Sequence, residues 1–206
     1  MSTTSGKSQR QRQNQTRKEL KNLASSYRLA RGKTASKQMQ SHQPTGKEND
    51  MLIYGIDPGY TGAVSLYWTE TGKLECYDMP TMKNPKGKTL INLHELLRIL
   101  SNEADESCLA VVERVSAMPG QGVSSTFRFG QGYGQLEMGI AACKLPIQYV
   151  SPAVWKKHFG LNRDKGVSRG LVTQRLPQYA HLFARVKDDG RAEATLIALY
   201  AAEKLI

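Results

Sequence analysis

The sequence predicts an α/β fold: a mixed sheet with helices on both faces. Three observations predict it. Five short apolar runs read as strands, segments with the helical spacing of Leu, Ile and Ala lie between and after them, and two of the strand runs close on a carboxylate.

The elements follow in order. Met51–Asp57 (MLIYGID) is an apolar run ended by Pro58-Gly59, which breaks a strand. Residues 62–69 (GAVSLYWT) and 73–79 (KLECYDM) flank Glu70-Thr71-Gly72, the pattern of a hairpin. Leu90, Leu93, Leu96, Leu97 and Leu100 recur at helical spacing and predict a helix over 89–104. Residues 108–112 (CLAVV), ending at Glu113, read as a buried strand. A Gly-rich stretch (PGQGVSSTFRFGQGYGQ) then runs into an apolar segment over 136–143. Residues 146–150 read as a further strand, and 152–159, 167–176 and 192–205 as helices. The domain predicted from this pattern spans 51–206.

Charge divides the chain differently. Residues 1–50 hold eleven Lys/Arg and three acids, so this quarter of the chain carries most of the net charge of +11. The segment has few aliphatics and one aromatic, Tyr27. It reads as a basic N-terminal extension that is disordered or folds only on contact. It suits a phosphate surface, with a solubilising tail or a targeting peptide as the alternatives. A basic balance of this size points to a polyanionic partner, most often nucleic acid. No window approaches the ~18 apolar residues of a membrane span, and no apolar secretory segment precedes the domain. Cys76, Cys108 and Cys143 lack CxxC spacing, which argues against a disulfide framework or a structural zinc site. They read as reduced thiols in a cytoplasmic or nucleoid setting, with a viral or organellar source left open.

Four acidic positions carry the candidate chemistry. Asp57 and Glu113 end strands, and Asp188/Asp189 and Glu193 begin the last helix, where residues 189 and 193 share a face. Carboxylates gathered at strand ends cost desolvation energy unless a cation compensates them. Mg²⁺ takes such oxygen donors, and two ions could activate water for phosphodiester hydrolysis. Taken singly, each acid has an ordinary role: a turn residue, half of an ion pair, or a helix cap.

Glycines at 120, 122, 130, 132 and 134 bracket Phe127, Arg128, Phe129 and Tyr133. Neither GxxxxGK[ST] nor a strand-linked GxGxxG is present, which argues against a nucleotide-binding loop. The stretch reads either as a DNA-facing segment or as tight helix packing through Gly132, Gly139 and Ala142. Lys156, Lys157, His158, Arg163, Lys165 and Arg169 form a basic region that reads as phosphate contacts or as a solvated helix face.

Gly55-Ile56-Asp57-Pro58-Gly59, Val111-Val112-Glu113-Arg114-Val115 and Asp188-Asp189-Gly190-Arg191-Ala192-Glu193-Ala194, in that order, resemble the motifs of RuvC-type Holliday-junction resolvases. Those are nucleases of the RNase H-like superfamily. The similarity runs through nearly all of 51–206, including residues 149–157 (YVSPAVWKK) and Asp164-Lys165. The resemblance implies an RNase H-like five-stranded sheet and a homodimer that nicks opposed strands of a four-way DNA junction with Mg²⁺ or Mn²⁺. It implies Asp57, Glu113 and Glu193 as metal ligands for two ions per active site. Lys156 (or Lys157) and Lys165 would lie at the cleaved phosphate. The residue three before Glu193 is Gly190 where the family has an acid, so the fourth ligand falls to Asp189 or Asp188. Ser116 stands where some members carry a junction-wedging Phe, which moves that role to Met118, Phe127 or Phe129. DNA contacts are expected from Lys156, Lys157, Arg163, Lys165, Arg128 and Phe127. The alternative is a non-catalytic branched-DNA-binding module on the same fold. An actin-like phosphotransferase would need a second lobe that 156 residues cannot hold.

Overall fold

The strand Leu52–Asp57 (β1) is apolar at every position but its last, and it runs through the middle of a sheet covered on both sides. The computed structural model describes residues 50–101, 107–116, 120–161 and 165–206, Lys165 by its backbone alone. Residues 1–49 of the basic extension, and Met118, Arg163 and Asp164, lie outside the described residues.

Next come Ala63–Trp68 (β2), Leu74–Asp78 (β3), Thr81–Lys83 (β4), Thr89–Ile91 (β5) and the helix Leu93–Ser101 (α1). Cys108–Glu113 (β6), Val123–Ala142 (α2), Ile147–Val150 (β7) and Pro152–His158 (α3) follow. Lys165–Arg175 (α4), two short 3-10 turns over 177–183 and 186–188, and Asp189–Lys204 (α5) complete the described chain. The main sheet has the order β3-β2-β1-β6-β7, antiparallel on the β2 side of β1 and parallel on the β6 side. This is the mixed five-stranded sheet with helices on both faces that the sequence predicts. No described helix is long and apolar enough to cross a membrane.

The two-residue period of strands sorts the core. Leu52, Tyr54, Ile56, Ala110 and Val112 pack with Leu96, Leu100, Leu136 and Ile140 from α1 and α2. Ile53, Leu109 and Val111 pack with Trp155, Leu196, Ile197 and Ala198 from α3 and α5. Burying each large aliphatic fully is worth about 1.5–3 kcal/mol, so both layers contribute heavily. The same alternation carries Asp57 and Glu113 to the α5 side.

Gly55 makes that layer close. A Cβ at Gly55 would lie 2.1 Å from the Ala194 carbonyl oxygen and 2.6 Å from the Ala198 nitrogen, so α5 rests on bare strand backbone.

One expectation is corrected and one alternative is decided. The helix predicted over 89–104 starts at Leu93; Leu90 belongs to β5, opposite Met82 on β4. Asn92 sets the boundary, its Oδ1 accepting the Glu95 N–H at 3.3 Å in the manner of an N-cap. From Val123 onward the Gly-rich stretch is helix, the packing alternative of its two readings. Gly132 and Gly139 explain why, since their faces lie against Ile91 and Tyr60 and against Leu100 and Leu96. Tertiary packing of a small-residue face overrides poor intrinsic propensity there.

Gly55→Ala is expected to cost at least about 1–3 kcal/mol by overpacking. Gly134→Ala, whose methyl would meet nothing within 4 Å, is expected to gain up to about 1 kcal/mol from helix propensity. Urea denaturation of the two variants checks both.

Candidate active site

Asp57 and Glu113 close adjacent parallel strands, since Ile56 is the partner of Val112 in the register. Helix α5 supplies the other two acids. Its start is fixed by a second close approach: a Cβ at Gly190 would stand 2.6 Å from the Thr61 carbonyl oxygen. That contact sets the first turn of α5 beside the loop that follows Asp57. Asp57, Asp189 and Glu193 consequently line one cavity of about 380 Å³, together with Tyr60, Gly62 and Asp78.

Glu113 is not among the residues lining that cavity. Its side chain is buried, and its Oε1 accepts a hydrogen bond from the Trp155 indole N–H at 3.0 Å. Burial pushes its carboxyl above the ordinary glutamate range, and the nearby Glu193 charge adds to the rise; the Trp155 bond and Lys156 work against it. Lys156 donates from Nζ to Glu193 Oε1 at 3.0 Å. Asp189 Oδ1 accepts from Arg169 Nε at 2.7 Å.

The neighbouring acid behaves differently. Asp188 is buried, and its carboxylate takes the Arg185 backbone N–H at 2.8 Å and the Arg185 guanidinium at 2.7 Å. Arg185 holds the Asp188 carboxyl below the usual range. Of the two candidates for the fourth acidic position, Asp189 faces the cavity and Asp188 ties down the turn before α5.

Sequence reading missed several participants. Nothing in the sequence marks Trp155 as the donor to Glu113. Asp78 lines the cavity from the end of β3 and pairs with Arg191. Arg169, read within a basic surface, is the partner of Asp189. Pairings across 20 to more than 100 residues leave no local signal in the chain.

The predicted DNA contacts are spread around this centre. Lys156 is inside it, and Lys157 is exposed on the same helix. Lys165 opens α4, its side chain lying outside the described residues. Phe127 is 73% exposed on α2. Arg128 is half-buried: its Nη2 donates to the Thr89 carbonyl at 3.2 Å and its guanidinium lies 5.3 Å from the Tyr60 ring centroid. Arg128 and Phe129 line a second cleft of about 340 Å³ with Tyr60, which also lines the acidic cavity. His158 pairs with Glu203 at 2.6 Å and packs against Phe159 and Tyr200. Among the described residues, no three His, Cys, Asp or Glu side chains stand together as a formed ion site.

No protein-family model matches the chain. No curated protein matches it either. Among solved structures it is similar to Thermus thermophilus RuvC in complex with Holliday junction substrate, and to Thermus thermophilus RuvC alone. Each is 14% identical with a TM-score of 0.46; the match covers 74% of this chain and 95% or 96% of the other.

The Glu113 shift sets a pH dependence. A carboxyl whose folded-state pKa is raised favours the fold fully below its unfolded pKa, and that contribution is lost as pH rises through the folded value. In EDTA, Glu113→Gln is therefore expected to be more stable than wild type at pH 7, with the gap closing towards pH 4. Thermal melts across that range check it.

Proposed function

We propose that the protein is a divalent-metal-dependent endonuclease that cuts four-way DNA junctions by paired nicks, acting as a homodimer. The observation that carries this reading is the meeting of Asp57, Asp189 and Glu193 on one cavity, with Glu113 near enough to feel the Glu193 charge.

The donor types suit a divalent cation. All four acids offer hard oxygen donors, the chemistry that Mg²⁺ and Mn²⁺ take. Lys156 and Arg169 pair with Glu193 and Asp189, and the buried Glu113 accepts from a neutral indole donor. Asp57, Glu113, Asp189 and Glu193 would hold the ions. When bound, such ions supply Lewis-acid activation of water and charge compensation at the leaving oxygen. Lys156 carries a positive group into the cluster, where it would offset charge growing on the phosphate. Lys157, Lys165, Arg163 and Arg128 would hold the DNA backbone, which fixes register but reads no sequence. Phe127, exposed and uncharged, would stack on an opened base at the branch. For the dimer contact, Leu93, Leu97, Met138 and Ala142 border an almost wholly apolar groove between α1 and α2.

One observation favours a second reading, a junction-binding module without catalysis. Glu193 and Asp189 each already have a protein cation, as structural acids do. A cleavage assay on a synthetic four-way junction, with linear duplex as control, separates the two. With Mg²⁺, Asp57→Asn and Asp189→Asn are expected to cut at least about 100-fold more slowly than wild type while still binding the junction. Asp188→Asn is expected to keep cutting but melt at a lower temperature. Junction binding by wild type with no metal-dependent hydrolysis would establish the second reading.

A further inference from the structure

We infer that Trp155 is a positioning residue that holds Glu113 for a divalent cation through its neutral indole N–H. The inference rests on the nuclease reading above and deepens it.

Trp155 is 0% exposed. Two links fix it relative to Glu113. Strand β7 pairs with β6 so that Val150 lies opposite Glu113, and the Arg114 N–H donates to the Val150 carbonyl at 2.7 Å. Helix α3 begins two residues later, with the Val154 N–H donating to the Ser151 carbonyl at 3.0 Å. The indole then packs in the layer of Ile53, Val111, Leu196 and Ile197. Its one polar atom reaches the buried Glu113 carboxylate.

The donor type matters. An indole N–H only donates and does not titrate in the working range of proteins. It orients a carboxylate while leaving the full negative charge for a cation, whereas a lysine in its place would cancel that charge. The next residue shows the contrast: Lys156 Nζ sits on Glu193 Oε1 and 4.9 Å from the Trp155 ring centroid. Adjacent residues of α3 thus hold the two glutamates, one by a neutral donor and one by a charged donor. Partners that orient metal ligands in this way typically change metal affinity 10–100-fold when removed.

Two measurements test the assignment on the full chain. The protein has two Trp residues, so ¹⁵N-labelled protein gives two indole N–H signals, which Trp68→Phe assigns. Titration with Mg²⁺ is expected to move the Trp155 signal and leave that of Trp68, at the far end of β2, in place. Separately, Mn²⁺ uptake is read from loss of the free-ion electron paramagnetic resonance signal. Trp155→Phe is expected to weaken it about 10-fold. If the wild type takes up Mn²⁺ but Trp155→Phe binds it equally well, or the Trp155 signal ignores Mg²⁺, the positioning role is overturned and the nuclease reading stands. A wild-type chain that takes up neither ion overturns both. Should Trp155→Phe fail to fold, the wild-type indole titration alone decides.

Discussion

The contact between α5 and β1 across Gly55 is the constraint on which the rest depends. Backbone meets backbone there with no room for a methyl group, so the helix can dock at only one height on the strand. Gly190 against Thr61 and Gly62 repeats the condition one helical turn earlier. Between them these contacts set the first turn of α5 next to the end of β1. Asp189 also gains from that position, because the helix N-terminus carries partial positive charge that favours a carboxylate.

Much of this was legible in the residues. The five sheet strands announce themselves by short apolar runs, and the acids by closing those runs or opening a helix. What escaped was decided by partners distant in the chain. Leu90 fits a helical stripe with Leu93 and Leu97, yet Asn92 caps the helix and leaves Thr89–Ile91 to pair with Thr81–Lys83. The glycines of α2 weaken it locally, and only the side chains of Ile91, Tyr60 and Leu100 explain their place in a helix. Trp155 and Arg169 carry no mark of their carboxylate partners, since a hydrogen bond across the core depends on geometry that no spacing rule encodes.

Neighbouring residues of this chain repeatedly do different work. Asp188 secures a turn through Arg185 while Asp189 looks into the cavity. Trp155 is core and Lys156 is charged surface turned inward. Successive side chains on a helix point about 100° apart, and near a helix start that angle is enough to separate a stabilising residue from an exposed functional one. Runs such as Trp-Lys-Lys or Asp-Asp-Gly therefore cannot be assigned a single role.

The Arg185 clamp on Asp188 fixes the rotational phase of α5. With the residue before the helix pinned and Gly55 gripping its middle, the azimuth of every later side chain follows from counting. Inserting one residue between 188 and 189 would set the two anchors about 100° out of phase: keeping the Gly55 contact breaks the Arg185 clamp, and keeping the clamp turns both cavity carboxylates of α5 away together. Point substitutions at those acids remove one oxygen pair at a time, whereas an insertion there strains the helix start while leaving every acid in the chain.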